Sequence, residues 1–340
     1  MDSSSPKHRS LVSPSSETVA EWAKLEGFLA GAPVFCQPWW LEAVAPRTWD
    51  YAVVRRGPEI AAVLPFVTQK GPLGQRRLGM PALTNSLGPW LRPLGGKLCK
   101  QYTVQKELLT ELIDALPPHD YFDQRFHYSI ANGLPFHWKG FTQTTLYTYV
   151  LHSLENLGAI WESFDDGIRQ RIERARKHLE VVEDLGIDDL IRVMDVSFPR
   201  QGLNPAYARV LLVRVDEACR SRNAGKMLFA VDSDNRLRAG VFIVWTEFAA
   251  YRLLGGDHSD PQSADANCLL LWEAIRLSQS IARTFDFGGS MAQAENLLFR
   301  HFGARQVPYL RVTRNGTDTV RRIVSRFRFL AGRSAGALDI

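Results

Sequence analysis

Hydrophobic and polar positions along this chain change period in a set order, and the order recurs. A helical pattern begins near Glu17. It is followed by FCQPWWLEAVAP (35–46), a short helix bracketed by Pro38 and Pro46. DYAVVRRG and EIAAVLPFVTQKG (50–57 and 59–71) are rich in β-branched and aromatic residues, and Gly57-Pro58 joins them, which predicts a hairpin. LTNSLGPWL (83–91) reads as extended. KQYTVQKELLTELIDAL (100–116) has helical spacing and stops at Pro117-Pro118. YFDQRFHYSI (121–130) and TQTTLYTYVL (142–151) read as strands.

The second stretch runs similarly. LEVVED (179–184) reads as a strand, and 188–222 as helices interrupted at Pro199 and Pro205. KMLFAVDS (226–233) reads as a strand, and LRAGVFIVWTEFAAYRLLGG (237–256) as a hairpin turning near Thr246-Glu247. NCLLLWEAIRLSQSIA (267–282) is apolar nearly all round, which predicts a buried helix. TFDF (284–287) predicts a strand, MAQAENLLFRHFG (291–303) a helix ended by Gly303, and QVPYLRVT (306–313) a last strand. The recurring order predicts a duplicated α/β unit with mixed sheets, although no repeat is visible residue by residue.

Length agrees with two units: 340 residues suffice for two domains. The net charge of +5 permits an anionic substrate or an RNA contact and demands neither. Cys36, Cys99, Cys219 and Cys268 form no C-x-x-C pair and sit in apolar or helical segments, which predicts buried thiols in a reducing compartment. Residues 1–16 are polar and rich in Ser and Pro, and read as a disordered lead-in without a signal-type apolar run. No run approaches a membrane span, so the expected location is the cytoplasm. Metal-ligand spacing, a P-loop, G-x-S-x-G and a dinucleotide fingerprint are all missing from the sequence, so no metal is expected.

The run YRLLGGDHSD…LLLWEAIRLSQ…TFDFGGSM…LLFRHFGARQVPYLRV resembles the second half of FemAB-like proteins of the GNAT superfamily of acyltransferases, including the BioF2-like, or CelD-like, acetyltransferase set. FCQPWWLEAV, LTNSLGPWL and IRQRIERARKHLEVV resemble, in order, the opening helix, a first-domain strand and the basic helix that opens the second domain. The resemblance spans most of residues 33–312. It implies two tandem GNAT-like domains around a cleft, here 17–150 and 151–312, with 313–340 packing back on the first. It also implies transfer of an acyl or aminoacyl group to an amine or hydroxyl. The donor would be acyl-CoA, such as acetyl-CoA, or less readily aminoacyl-tRNA; the acceptor would be a small molecule or an envelope or polysaccharide precursor.

Asp286 lies between two phenylalanines. Alternate side chains of a strand share a face, so if Phe285 and Phe287 face a core, Asp286 points the other way. Gly288 and Gly289 remove bulk where a ligand or another backbone can approach, and Ser290 is placed to cap the next helix. The amides of residues 289–292 would then suit an anionic or carbonyl oxygen. Asp286 is a candidate catalytic carboxylate; the plainer reading is that it holds a tight turn by accepting backbone hydrogen bonds. Tyr251 and Arg252 lie on opposite faces of their strand. Tyr251 is a candidate general acid or a core tyrosine, and Arg252 a candidate donor-binding residue. Asp257 and His258 form an acid–imidazole pair, but adjacent residues rarely converge on one proton.

Ile168, Ile172, Ala175 and Leu179 form one apolar stripe on the basic helix. Arg169, Arg171 and Arg174 flank it as candidates for a phosphate-bearing substrate, or as a solvated face paired with Glu173 and Glu180. Peptide-bond-forming FemAB-like enzymes often carry F-K-x-x-F-G before the last strand. Here Phe299 stands at the lysine position. Arg300 follows one residue later, about 100° round the helix, as a candidate donor contact. That departure counts against a tRNA donor. The glycine-bearing pyrophosphate loop of CoA-dependent relatives is replaced by HSDPQSADAN (258–267), with Asp260 and Asp265. These departures keep a second reading open, a non-catalytic protein whose cleft binds a sugar-nucleotide, peptide or RNA. The tail VRRIVSRFRFLAGR (320–333) reads as a basic helix, packed on the first domain or touching an anionic membrane or RNA.

Overall fold

The computed structural model describes residues 16–72, 74–194, 205–257, 261–289, 291 and 293–315. In chain order the elements are α1 (Ser16–Leu29), α2 (Pro38–Val44), β1 (Trp49–Arg56), β2 (Glu59–Lys70), β3 (Arg76–Gly79), β4 (Trp90–Leu91), α3 (Leu98–Asp114), β5 (Tyr121–Arg125), α4 (Leu134–Trp138) and β6 (Thr142–Leu151). They continue with α5 (Leu157–Glu162), α6 (Asp166–Ala175), β7 (Leu179–Val182), α7 (Ile187–Met194), α8 (Pro205–Arg222), β8 (Gly225–Asp232), β9 (Leu237–Trp245), β10 (Ala249–Asp257), α9 (Pro261–Ser278), β11 (Thr284–Asp286), α10 (Gln293–His301) and β12 (Arg305–Asn315).

All strands join one mixed sheet in the order β1-β2-β3-β5-β12-β6-β11-β10-β9-β8-β7, with β4 on β2. The predicted duplication is visible in this order. Each half has an antiparallel pair, β1-β2 or β8-β9, and a parallel crossover through one helix, β3-α3-β5 or β10-α9-β11. Each then adds a helix and a final strand, and the final strands are exchanged. β12 lies against β5, β6 lies against β11, and the two pair with each other down the centre.

The offset that carries Phe122-Asp123 onto Phe285-Asp286 also carries Gly140 onto Gly303, both left-handed at φ 88 and 66. It carries the pairing of Gln124 with Val312 onto that of Phe287 with Tyr149, where N–H meets C=O at 3.0 Å. The duplication is thus in register although few side chains repeat. Divisions near 150 and 312 pass through β6 and β12, the exchanged strands themselves.

Three cores follow. Against one face of the sheet, α2 and α8 meet in a core shared by both halves, joining Val63 and Val67 to Phe229, Phe242 and Tyr251. On the opposite face, α3 and α4 cover the first half and α6, α9 and α10 the second. The apolar helix at 267–282 is α9, buried as its pattern predicted.

Three local expectations change. The strand predicted over 121–130 ends at Arg125, and α4 follows, started by Pro135 in its first turn, where a missing N–H costs nothing. The helical stripe through Leu179 stops at Ala175, because Leu179 already pairs with Asp232 in the sheet. Of 83–91, only Trp90–Leu91 forms a strand, on β2, and Leu87 makes a single bridge to Phe126. Cys36, Cys219 and Cys268 are buried as expected, while Cys99 is exposed on α3. The tail at 320–333 and His258 lie outside the described residues.

Candidate functional site

β11 builds the corner from its own alternation. Phe285 and Phe287 are fully buried under α9 and α10, which turns Asp286 to the other face of the sheet, 5 % exposed. Its Oδ1 accepts from Thr148 Oγ1 at 2.5 Å and from the Gly288 N–H at 2.9 Å. Among the described residues no donor meets Oδ2. Burial pushes the carboxyl up to about 6, against the pull of those two hydrogen bonds. Asp286 therefore pins the turn, as its plainer reading expected, and among the described residues its second oxygen meets no donor.

The glycines are required by close approach. Gly288 is left-handed at φ 86, and a Cβ there would meet the Arg252 carbonyl at 3.3 Å and Asn85 Nδ2 at 3.4 Å. A Cβ on the exposed Gly289 would stand 2.3 Å from Tyr309 Oη. Ser290 lies outside the described residues, and α10 begins only at Gln293, later than the sequence predicted. The corner amide in use is that of Gly288, given to Asp286.

Three phenols feel the Asp286 charge. Tyr251 is its register neighbour on β10, Tyr309 comes from β12, and Tyr128 follows β5. Burial, reinforced by that carboxylate, holds all three phenols protonated, Tyr128 up to about 12. Arg125 opposes the rise at Tyr309 and donates to the Thr84 carbonyl at 3.1 Å. Tyr251 Oη lies 3.4 Å from His127 Nε2, and His127 Nδ1 is 2.8 Å from Ser129 Oγ. Burial drives His127 down to about 4, so the ring is neutral.

β10 and β11 pair only as far as Tyr251 and Asp286, then part. Beyond this point β10 pairs with no further strand on this side among the described residues, its register on β9 is shifted between Arg252 and Leu254, and Asn85 Nδ2 reaches the Arg252 carbonyl at 3.4 Å. The point where β10 and β11 part thus lies beside the buried carboxylate.

The remaining sequence candidates lie apart from this corner. Arg171 and Arg174 both bind Asp265 of α9, at 2.8 and 2.9 Å, fastening α6 to α9. Arg169 pairs with Glu162 and Asp166 on its own side of the molecule. Arg252 faces away from Asp286, with its guanidinium 5.6 Å over the Phe299 ring and Nη2 bonded to the Gly255 carbonyl. Phe299 is buried, and Arg300 is exposed on α10. Asn85, Arg125, His127, Tyr128, Thr148 and Tyr309 reach the corner without having been singled out by the sequence. Arg125, Thr148 and Tyr309 lie in strands whose partners the exchange decides, and Asn85, His127 and Tyr128 lie in the loops beside them.

The first half carries the counterpart of this corner. The offset defined above carries Asp123 onto Asp286 and Thr148 onto Arg311. Arg311 clamps Asp123 with two hydrogen bonds, at 2.6 and 2.9 Å, on an exposed surface. The second copy has a hydroxyl where the first has a guanidinium, and it alone has a buried carboxylate with an oxygen to spare.

No family model matches the chain, and no curated protein matches it. Solved structures do match. FemX has a TM-score of 0.59 at 12% identity, over 85% of this chain and 95% of that one. A conserved protein of unknown function from Bacteroides thetaiotaomicron has 0.54 at 12%, over 87% and 96%. A tandem GNAT protein from the clavulanic acid biosynthesis pathway has 0.50 at 11%, over 88% and 95%. The chain has the fold of FemX and of this tandem GNAT protein, two similar halves in tandem.

Proposed function

We propose that this chain is an acyltransferase whose one live centre is the Asp286 corner, passing an acyl group from acyl-CoA to an amine or hydroxyl. The observation that carries this reading is a buried carboxylate, raised to about 6 and with one oxygen uncommitted, where β10 and β11 part. Asp286 Oδ2 takes the acceptor's proton as its nitrogen or oxygen bonds to the acyl carbon. Backbone amides where β10 and β11 part hold the developing oxyanion. Tyr251, kept protonated, supplies a proton as the carbon–sulfur bond breaks.

Pairing reduces the electrostatic objection to an anionic donor at one of its two acids: Asp265, in the helix that replaces the usual pyrophosphate loop, is offset by both Arg171 and Arg174, while Asp260 lies outside the described residues. A buried Phe299 at the family's lysine position favours acyl-CoA over aminoacyl-tRNA. The acceptor class, a small molecule or envelope precursor, rests on resemblance.

The test is thiol release from acetyl-CoA and longer acyl-CoAs with a panel of amine and hydroxyl acceptors. Wild type should turn over with an acidic limb in kcat/KM near pH 6, and Asp286→Asn should lose about 10²–10⁴-fold. Binding without product would replace this reading with the cleft-binding one. Equal turnover by Asp286→Asn would refute the assignment of the base.

A further inference from the structure

Strand register sets one more charge beside the corner. Residues directly opposed on antiparallel strands share a face of the sheet, and so do alternate residues of one strand. Asp286 pairs with Val150, Tyr309 with Leu146, and Arg311 with both Thr144 and Arg125. Arg125 therefore lies on the same face as Asp286, Thr148 and Tyr309. Asp123, Thr144 and Arg311, also on this face, are exposed, so the face is open to solvent along these three. The loop before β4 leads to the same place. Arg125 Nη2 donates to the Thr84 carbonyl at 3.1 Å. The next residue, Asn85, donates to the Arg252 carbonyl and lies 3.4 Å from where a Cβ on Gly288 would stand.

The charge of Arg125 is not met. Arg125 and Arg311 oppose each other directly across β5 and β12, which costs stability unless an anion offsets them. Asp123 is such an anion, but Arg311 takes both its oxygens. The other charges on this face of β5, β12, β6 and β11 are Arg305 and Asp286, and neither pairs with Arg125 among the described residues. The half-buried guanidinium donates from its side chain only to the Thr84 carbonyl among the described residues. Most of its five donors are left over, on a fork that fits two oxygens of one anion.

We infer that Arg125 is an anion-binding residue that selects the acceptor: the acceptor carries a carboxylate or phosphate, held by Arg125, near the amine or hydroxyl that reacts at Asp286. The role of that molecule as acceptor rests on the transfer reading; the anion subsite rests on the register and the unmet charge alone. The donor's own phosphates are not the occupant. α9, which stands where relatives carry the pyrophosphate loop, packs on the opposite face of the sheet together with Arg171 and Arg174.

The test uses three amines, β-alanine, O-phosphoethanolamine and ethanolamine, with the full chain. Calorimetric titration should show wild type binding at least one of the two anionic amines about 10–100-fold more tightly than ethanolamine, as a charged hydrogen bond allows. Which of the two binds better separates carboxylate from phosphate. Arg125→Gln should erase the gap. Arg125→Lys, which keeps the charge without the fork, should restore part of it and guards against a folding loss in Arg125→Gln. A role confined to holding the Thr84 carbonyl would change all three amines alike. In thiol release from acetyl-CoA, Arg125→Gln should raise KM for the preferred anionic amine by the same factor and leave kcat within about twofold. No preference for either anionic amine in wild type, or a preference that Arg125→Gln retains, would overturn the inference. Anion-selective binding that needs Arg125 but gives no thiol release would uphold the subsite and refute the transfer reading instead.

Discussion

Asp286→Asn should make the protein more stable, and by an amount that grows with pH. A carboxyl near 3.8 in the unfolded chain and about 6 in the fold binds its proton more tightly when folded. The sign is therefore opposite to that of a salt-bridged acid: stability is lost as pH rises from 3.8 to about 6, and the cost is constant above that. At 1.36 kcal/mol per unit, the cost is about 1.6 kcal/mol at pH 5 and about 3 kcal/mol at pH 8. Asparagine removes the charge yet keeps an oxygen for Thr148 and Gly288. Any packing penalty from its amide is the same at both pH values, and the acid sensitivity due to His127 is the same in wild type and variant, so both cancel in the comparison. The advantage of the variant should grow by about 1.4 kcal/mol between pH 5 and pH 8. With an unfolding entropy of about 2.1 cal/mol/K per residue, that is a change of about 2 °C in the Tm difference. Paired calorimetric melts of wild type and variant would measure it. A Tm difference that stays flat across this range would refute the buried, charge-penalised carboxylate and the reasoning that makes it a base.

Thr148→Val removes a hydrogen bond that lowers the carboxyl, so the acidic limb of kcat/KM should move above pH 6; an unmoved limb would show that Thr148 does not tune Asp286. His127, held down at about 4 by burial, should cost the fold about 2 kcal/mol between pH 7 and pH 5 as the unfolded imidazole takes up a proton. His127→Gln should remove that acid sensitivity in urea titrations. Gly303→Ala should destabilise by at least about 1–2 kcal/mol from its left-handed backbone alone, with further loss because a Cβ would stand 2.7 Å from the Ser163 carbonyl. Asp123→Asn should leave transfer unchanged, and stability within about 1 kcal/mol because the Arg311 pair is exposed; a large loss of turnover would mean that the first half carries a working centre.

How much of this was legible in the sequence follows from which interactions are local. Phe285, Asp286 and Phe287 announced their own orientation, since strand alternation needs no partner, and the glycines after them announced a close approach. The hairpins β1-β2 and β9-β10 and the buried α9 were equally local. What surrounds Asp286 was not. Thr148, Tyr128 and Tyr309 lie on strands or loops whose neighbours are set by the exchange of β6 and β12, and no local period encodes an exchange. The arginines of α6 misled for a related reason. Their spacing suited a phosphate, but the carboxylate that takes Arg171 and Arg174 is Asp265, nearly a hundred positions away and brought alongside only when α6 packs on α9.

The exchange also accounts for why one corner of the duplicated pair keeps a carboxylate oxygen uncommitted and the other does not. Each corner places a strand carboxylate diagonally across from a residue of the other half's final strand. That residue is Thr148 for Asp286 and Arg311 for Asp123. A hydroxyl offers one donor, which leaves a carboxylate oxygen over; a guanidinium fork takes both. Surroundings push the same way: Asp286 is buried where three phenols converge and β10 and β11 part, while Asp123 stays in water with its charge already met. A duplicated sheet with exchanged last strands therefore needs only one substitution class, threonine against arginine at matching positions, to leave one corner with an uncommitted carboxylate oxygen and make the other a clamp. The buried carboxylate belongs to the second half and much of its surrounding wall, Asn85, Arg125, His127 and Tyr128, to the first, so neither half alone carries the complete corner.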